Sequence, residues 1–302
     1  MTSDLLPTRR AGMTHTTMVN GRVIDKSVPE DYDPRLYAFD SIADTLHGFK
    51  SLTTQHIEQY HHEGFLAIDD AFSSKMVHDA YQALRDTIIL KAGSPSPSTQ
   101  YEAWAARRLD NLTPQQLAAA IRKLTDLDLS DQRLRALAFD RQMLSLVSRL
   151  MNGAVPTILQ AMALLKQPNG REKPCHQDRA YFNVALDTPV VGTWIALDSA
   201  TPENGCMRVW PGRHRKGPLV HFQRRDWQIC DKQILGQRCV AVPLKPGGLL
   251  VFDALLPHGT PHNPTNQRRW ALQYHYSPQQ AAKTDDQARI EVFGSEGKDV
   301  EC

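Results

Sequence analysis

The second half of the chain constrains the fold most, because many short β-rich runs there alternate with turn residues. The runs cover residues 157–166, 180–185, 190–198, 206–210, 238–243, 248–252 and 269–276. Turn triplets such as Pro168-Asn169-Gly170 and Pro246-Gly247-Gly248 separate them. Many short strands divided by such turns are typical of a sandwich or a closed barrel.

The first half of the chain has a different sequence pattern, which predicts helices. Helical spacing or cap signals mark residues 53–62, a stretch from Ser73 or Ser74 to about Leu90, a segment opened by Thr113-Pro114, and about 130–151. Helices first and strands later favour an α+β, mainly β fold, with the N-terminal helices packed on one outer face. We expect a flexible or loosely docked arm over residues 1–35 and one domain over 36–302. That domain divides into a helix-rich part (36–152), a barrel core (153–280) and a peripheral C-terminal tail (281–302).

Composition and charge exclude several function classes. The formal net charge of the 302 residues is +2, so no strong field points to nucleic acid or to an anionic membrane. No apolar run approaches the length of a membrane span, and no apolar stretch follows the two N-terminal arginines as in a secretory signal. The five cysteines are scattered without a C-x-x-C pair, which favours a reduced cytoplasmic protein. A monomer and a homodimer both remain open.

The segment His176-Gln177-Asp178 is a candidate metal-binding motif. On a strand end, side chains two residues apart point to the same face, so His176 and Asp178 could bind one ion. Together with a distant second histidine they form the ligand set of a 2-His-1-carboxylate iron site. A His-x-Asp pair alone is weak, since the chain has twelve histidines. Composition and spacing leave the second imidazole open among His214, His221, His258, His262 and His275.

An arginine pair near the C-terminal strand suggests a carboxylate clamp. Arg269 lies eleven residues after His258, and an arginine can fork two hydrogen bonds onto an anionic co-substrate. Alternation predicts that Arg269, Gln273 and His275 line the barrel interior, whereas Trp270 and its i+2 neighbours pack outward against the helices. The alternative interpretation is a solvated arginine pair at the start of a strand.

Taken together, these motifs resemble the phytanoyl-CoA dioxygenase family of Fe(II)/2-oxoglutarate oxygenases. Their order and spacing match the family pattern over about residues 155–280. The matching motifs are His176-Gln177-Asp178, Trp194, Asn204-Gly205-Cys206, Pro211-Gly212-Arg213-His214, Pro246-Gly247-Gly248, His258-Gly259-Thr260 and Arg269. Each motif alone is weak evidence for the family, whereas their combination in this order is specific evidence for it.

The resemblance implies a fold and a set of binding residues. The fold is a double-stranded β-helix, a jelly-roll or cupin-like barrel. The resemblance selects His258, rather than His262 or His214, as the third Fe(II) ligand beside His176 and Asp178. It places the distal carboxylate of 2-oxoglutarate on Arg269 and Thr260, with Trp194 and Met162 lining the co-substrate pocket. Thr260 replaces the family's usual serine and keeps the hydroxyl group.

The implied reaction is hydroxylation of an unactivated C–H bond of a small molecule, with O2 consumed and succinate and CO2 released. Tyr181 and Arg213 are candidates for the substrate pocket. An acidic substrate would suit the cations near the predicted mouth, which are Arg171, Lys173, Arg179, Arg208, Arg213 and Arg215. Two alternatives stay open: a cupin-like metal enzyme that does not use 2-oxoglutarate, such as an isomerase or another dioxygenase, and a non-catalytic ligand-binding barrel.

Overall fold

A computed structural model describes residues 16–19, 22–25, 32–92, 96, 98–105 and 108–294. The helices are α1 (Thr54–Glu63), α2 (Ser74–Ala92), α3 (Pro114–Ala120), α4 (Gln132–Ala138), α5 (Arg141–Leu150) and α6 (Asp286–Phe293). The strands are β1 (Thr16–Val19), β2 (Arg22–Asp25), β3 (Ser41–Ile42), β4 (Thr45–His47), β5 (Phe65–Asp69), β6 (Thr99–Tyr101), β7 (Ile121–Thr125), β8 (Pro156–Lys166), β9 (Lys173–His176), β10 (Val191–Ala196), β11 (Met207–Val209), β12 (His221–Gln223), β13 (Trp227–Ile229), β14 (Val240–Val242), β15 (Leu249–Asp253), β16 (His258–Thr260) and β17 (Arg269–Pro278).

Two large sheets organise the described part of the chain. The first has ten strands in the order β1-β2-β6-β7-β8-β17-β10-β15-β5-β4, and the second has five in the order β3-β14-β11-β16-β9. Strands β12 and β13 form a separate hairpin. Mixed sheets with helices agree with the expected α+β class.

The two faces of the ten-stranded sheet pack against different partners. Leu272 and Tyr274 of β17 share a hydrophobic cluster with residues of helices α1 to α5, and the Tyr274 hydroxyl donates to the Leu134 carbonyl of α4 at 3.4 Å. On the opposite face, Trp194 and Ala271 pack against Val209 and other residues of the five-stranded sheet. Alternate residues of β17, which share the face of Ala271, therefore point into the space between the sheets.

The helix boundaries follow from capping side chains. Pro114 occupies the first turn of α3, and the Thr113 hydroxyl accepts from the Gln116 amide at 3.2 Å in a capping box. The helix expected over 130–151 is two helices, because the Asp140 carboxylate caps a new one by accepting from the Met143 amide at 3.0 Å.

Some expected strands differ from the structure. Residues 180–185 are not a strand: the 3-10 helix Asp178–Tyr181 occupies their start, and Val184 makes only an isolated bridge to Lys283. Strands β9 and β16 were not among the predicted β-rich runs, since each has only three or four residues. Both carry metal-ligand candidates. The strand end assumed at His176 is the end of β9.

The expected terminal segments are only partly described. Within the arm predicted over 1–35, β1 pairs with β2, and β2 pairs in parallel with β6. Residues 1–15, 20–21 and 26–31 of that arm lie outside the described residues. In the tail predicted over 281–302, Arg289 of α6 donates to the Ala180 carbonyl at 2.9 Å, and residues 295–302 lie outside the described part.

Two global expectations can be compared with the described residues. None of the described helices combines the length and the apolar character that crossing a membrane requires. Cys175, Cys206 and Cys239 are free and buried.

Candidate metal centre

The three predicted metal ligands converge between the two sheets. His176 ends β9, Asp178 begins the following 3-10 helix, and His258 begins β16. One ligand atom from each lies within 4.8 Å of the other two, and all three side chains are buried. The Asp178 carboxylate lies 3.1 Å from His176 Nε2 and 3.5 Å from His258 Nε2.

The path of the chain to His258 crosses from one sheet to the other. Strand β15 ends at Asp253 in the ten-stranded sheet, and a turn carries the chain to β16 in the five-stranded sheet. The turn is held by the Leu255 amide, which donates to Asp253 Oδ1 at 2.7 Å.

Hydrogen bonds on the far side of each imidazole set its tautomer. His176 Nδ1 lies 2.9 Å from the Pro174 carbonyl, and His258 Nδ1 lies 2.9 Å from the Leu256 carbonyl. A carbonyl oxygen can only accept, so both Nδ1 atoms carry the proton and both Nε2 lone pairs face Asp178. Burial lowers the pKa of His258 to about 4, which keeps this imidazole neutral at pH 7. Two lone pairs and a carboxylate facing one another fit a divalent cation.

Two residues of β17 support the carboxylate ligand. Gln273 Nε2 donates to Asp178 Oδ2 at 2.8 Å, and His275 Nε2 lies 2.7 Å from the same oxygen. Burial alone would raise the pKa of Asp178, but its contacts with the surrounding imidazoles, chiefly those of His258 and His275, hold it well below the usual range. His275 was an open candidate for a ligand, and the structure places it behind Asp178 instead.

Gln177 lies between the two candidate ligands of the His-x-Asp motif and holds that segment in place. The sequence analysis did not identify this role. Its side-chain amide donates to the Leu255 carbonyl at 2.6 Å, and its carbonyl accepts from the Leu219 amide at 2.7 Å. Its backbone amide donates to His221 Nε2 at 2.9 Å. Gln177 and His221 are fully buried, so the motif is held from behind by polar contacts.

Arg269, the predicted clamp, is a buried cation with unused donors. Its side chain is 3 % exposed, and its Nε and Nη1 have no hydrogen-bond partner among the described residues. Its guanidinium carbon lies 5.1 Å from the centre of the Trp194 ring. Burial lowers the pKa of Arg269 to about 10. Buried donors of this kind cost free energy unless a ligand satisfies them, and a carboxylate does so well.

One cavity of about 430 Å³ joins the metal triad to Arg269. The predicted site residues that line it are Met162, His176, Asp178, Tyr181, Trp194, His258, Thr260 and Arg269. The Tyr181 ring contacts His176 edge-on, with ring centres 6.0 Å apart. The structure does not bring Arg213 into this group, because the 3-10 helix Arg213–Lys216 carries its side chain to the Gln233 carbonyl at 3.3 Å.

Other histidine and cation candidates have structural contacts elsewhere. His214 Nε2 lies 3.2 Å from the His61 carbonyl, so this imidazole contacts the end of α1 rather than the triad. Arg179 donates to the Phe182 carbonyl at 2.8 Å, and Arg208 to the Tyr37 carbonyl at 3.2 Å. Of the six cations considered near the mouth, Arg171 and Lys173 line the cavity.

The sequence did not point to Lys166, Arg122 or Lys123, which also line the cavity. For Lys166 a signal was present: alternation along β8 places it on the same face as Met162. Arg122 and Lys123 lie on β7, which the sequence did not identify as a strand.

Comparison with known proteins identifies the family of this chain. The sequence profile of the phytanoyl-CoA dioxygenase (PhyH) family matches residues 60–271, which is more than half of the chain. This chain belongs to the phytanoyl-CoA dioxygenase family.

The chain spans about half the length of the curated relatives that it matches. Phytanoyl-CoA dioxygenase domain-containing protein 1 of Danio rerio is 31% identical over 134 residues, which are 40% of this chain and 44% of that protein. Methylphosphonate hydroxylase of Gimesia maris is 31% identical over 123 residues, which are 37% of this chain and 42% of that protein.

Solved structures share the fold of this phytanoyl-CoA dioxygenase family member. EctD from S. alaskensis with bound Fe has a TM-score of 0.62 at 20% identity, covering 77% of this chain and 80% of that one. EvdO2 from Micromonospora carbonacea var. aurantiaca complexed with 2-oxoglutarate has a TM-score of 0.57 at 22% identity, covering 80% and 97%. At these identities the likeness shows the fold alone.

Proposed function

We propose that this chain is an Fe(II)/2-oxoglutarate-dependent dioxygenase that hydroxylates an unactivated C–H bond of a small molecule. A single observation carries the proposal: one cavity holds a buried His-Asp-His triad and a buried arginine with unused donors. Family membership over residues 60–271 supports it. The overall balance is substrate, O2 and 2-oxoglutarate converted to hydroxylated substrate, succinate and CO2.

Each residue near the triad has a proposed role. Bound Fe(II) would supply the activation of O2 that oxidation of a C–H bond requires. His176, Asp178 and His258 would hold the ion, and Gln273 and His275 would orient the carboxylate ligand. Hydrogen-bonded partners of this kind fix the direction of a ligand's lone pairs and exclude water from the site.

The co-substrate would lie along the inner face of β17 and its neighbours. Arg269 and Thr260 would bind its distal carboxylate, and Trp194 and Met162 would pack along its carbon chain. Trp194 and Met162 both lie directly opposite Gln273 in their strand pairs, which supports a common face for them. All four side chains are buried, so the carboxylate would be held away from bulk water.

The two alternative functions are disfavoured by specific residues. A cupin-like metal enzyme that does not use 2-oxoglutarate, such as an isomerase or another dioxygenase, has no need for a distal carboxylate clamp. The unused donors of Arg269 therefore argue against it. A non-catalytic ligand-binding barrel has no need for the three converging ligands His176, Asp178 and His258.

The cavity wall supports an acidic small-molecule substrate. Arg171 and Lys173 approach Asp226 at 3.7 and 2.9 Å, and Arg122 and Lys123 line the same cavity. Burial, together with repulsion from neighbouring cations, lowers the pKa of Lys123 to about 8. An anionic group on the substrate would offset this excess of positive charge. Tyr181, which contacts Lys173 and His176, would border the reacting substrate.

The proposal extends to the architecture that the family resemblance implies. We infer a double-stranded β-helix formed by the two large sheets, with the N-terminal helices packed on one outer face. The shared hydrophobic cluster of helices and β17 supports this arrangement. The division into an arm (1–35) and a single oxygenase domain (36–302), and a cytoplasmic location, remain predictions.

The proposed function is tested by isotope labelling. Purified protein is given Fe(II), 2-oxoglutarate and ¹⁸O2, and the succinate formed is analysed by mass spectrometry. One labelled oxygen atom in succinate, lost in both Asp178→Ala and His258→Ala, is the expected result. Unlabelled 2-oxoglutarate recovered intact from iron-loaded, folded protein would favour the isomerase alternative.

A further inference from the structure

Lys166, the last residue of β8, is a buried cation beside Arg269. The two residues are directly opposite each other in the antiparallel pairing of β8 with β17. Lys166 is 9 % exposed and Arg269 is 3 % exposed. Among the described residues no carboxylate lies within 4.0 Å of either cation, although both line the cavity of the metal triad.

Two adjacent buried cations without a carboxylate are unfavourable in the ligand-free protein. Burial lowers the pKa of Lys166 well below its ordinary value, and the neighbouring charges of Arg269 and Arg122 lower it further. The more distant carboxylates of Glu172 and Glu102 offset only part of this effect. Like charges in a low-dielectric site destabilise each other until an anion neutralises them. The pair therefore favours an anion, and the cavity gives that anion access.

The hydrogen bonds of Lys166 connect it to Thr260. Its Nζ donates to Thr260 Oγ1 at 2.9 Å and also to the Pro261 carbonyl. An ammonium group can only donate, so the Thr260 oxygen acts as acceptor in this contact. The hydroxyl hydrogen of Thr260 is then free to point at a third group, such as a carboxylate oxygen in the cavity.

The turn Asn204-Gly205-Cys206 closes this corner. Gly205 has φ of +84°, and a Cβ added there would lie 2.8 Å from the Pro261 carbonyl oxygen and 3.4 Å from Lys166 Nζ. Only glycine allows the turn to approach so closely in this conformation. The ammonium group is thus enclosed and pre-positioned rather than mobile.

We propose that Lys166 is a second cation for the distal carboxylate of 2-oxoglutarate and that it also orients the Thr260 hydroxyl toward that carboxylate. The inference rests on the proposed function, because it assigns Lys166 to the same co-substrate. It predicts a site with two positive charges and one directed hydroxyl, rather than a single arginine clamp.

The experiment measures binding rather than turnover. Fe(II)-loaded protein is titrated anaerobically with 2-oxoglutarate by calorimetry, for the natural chain and for Lys166→Met, Lys166→Arg and Thr260→Ala. Lys166→Met is expected to raise the dissociation constant on the order of 10- to 100-fold. Lys166→Arg should recover most of that loss. The exposed Lys245→Met is the matched control and should bind normally.

Further readouts separate this role from a merely structural one. If Lys166 orients Thr260, the double variant Lys166→Met/Thr260→Ala should lose less affinity than the two single losses combined. Affinity in the natural chain should fall with rising pH well below the range in which an ordinary lysine titrates, and Lys166→Arg should abolish that fall. Thr260→Ala and Lys166→Arg keep the test informative if Lys166→Met fails to fold.

The outcomes distinguish this inference from the proposed function. Natural protein that binds iron but not 2-oxoglutarate would overturn both. Natural protein that binds 2-oxoglutarate, with Lys166→Met binding within about threefold of it, would overturn only the role of Lys166.

Discussion

His258 lies directly opposite His176 in the antiparallel pairing of β16 with β9, and their ring centres are 4.4 Å apart. Cross-strand neighbours have their Cβ atoms about 5 Å apart, which suits two imidazoles that share one ion. The distance between two metal ligands that are far apart in the chain is therefore set by the register of two very short strands.

The glycine after His258 should be essential for that register. A Cβ at Gly259 would lie 2.9 Å from the Lys173 carbonyl oxygen and 3.1 Å from the Cys175 amide nitrogen, both of which are backbone atoms of β9. Gly259→Ala should cost about 1–3 kcal/mol in the free energy of unfolding and also weaken Fe(II) binding. Urea unfolding and metal titration check this.

Gly153→Ala is the control for this prediction. Gly153 has φ of +85° with open space around it, so alanine there strains only the backbone. It should lower stability without weakening Fe(II) binding. Equal loss of iron affinity in both variants would show that general destabilisation, not the β16–β9 register, explains the effect.

Neighbouring arginines on β17 should behave differently. Arg269→Ala should weaken 2-oxoglutarate binding by about 2–5 kcal/mol, because it removes a buried cation from the site. Arg268→Ala should have little effect, since its side chain is 41% exposed and pairs with Asp198 at 3.1 Å. Dissociation constants for 2-oxoglutarate decide the matter, and an unchanged value for Arg269→Ala would refute the clamp.

His275 should support iron binding through Asp178. Its Nε2 lies 2.7 Å from the carboxylate oxygen that also accepts from Gln273. Removing a hydrogen-bonded partner of a metal ligand typically costs about 10- to 100-fold in metal affinity, so His275→Ala should show a loss of that size. His78→Ala on the exposed face of α2 is the control. Equal Fe(II) affinity in the two variants would assign His275 a packing role only.

Metal-free protein should lose stability in mild acid. Burial lowers the pKa of His221 to about 3, whereas an imidazole in the unfolded chain titrates near 6.5. Below about pH 6.5, His221 binds a proton in the unfolded chain but stays unprotonated in the native protein. The free energy of unfolding therefore falls as pH drops toward 3. This one group contributes up to about 1.4 kcal/mol per pH unit.

Urea unfolding between about pH 7 and pH 5 measures that slope. His221→Gln should flatten it, and because His221 Nε2 accepts from the Gln177 amide, the variant should also loosen the His-x-Asp motif. An identical slope with and without His221 would contradict the assignment.

Much of the site could be predicted because it follows local rules. Alternation along 269–276 placed Arg269 and Gln273 on the inner face, and the structure puts both in the cavity. Turn residues marked the end of β8, which Pro168-Asn169-Gly170 follows, and the start of β15, which Pro246-Gly247-Gly248 precedes. Family resemblance, rather than spacing, selected His258 among the five histidine candidates.

What could not be predicted depends on contacts between distant parts of the chain. Strands of three or four residues, such as β9 and β16, are stabilised by their sheet partners and carry too little periodicity to recognise. The role of Gln177 depends on the Leu219 and Leu255 backbone groups, which reach it only in the folded chain. Arg213 fitted a motif, but a 3-10 helix turns its side chain away from the cavity.

The most direct test is the weak visible charge-transfer band that forms when 2-oxoglutarate binds Fe(II) in an anaerobic protein. We predict the band in the natural chain and in His262→Ala, whose side chain is exposed, and its absence in His258→Ala. A band of full strength in His258→Ala, or none in folded, iron-loaded natural protein, would contradict the shared iron and 2-oxoglutarate site.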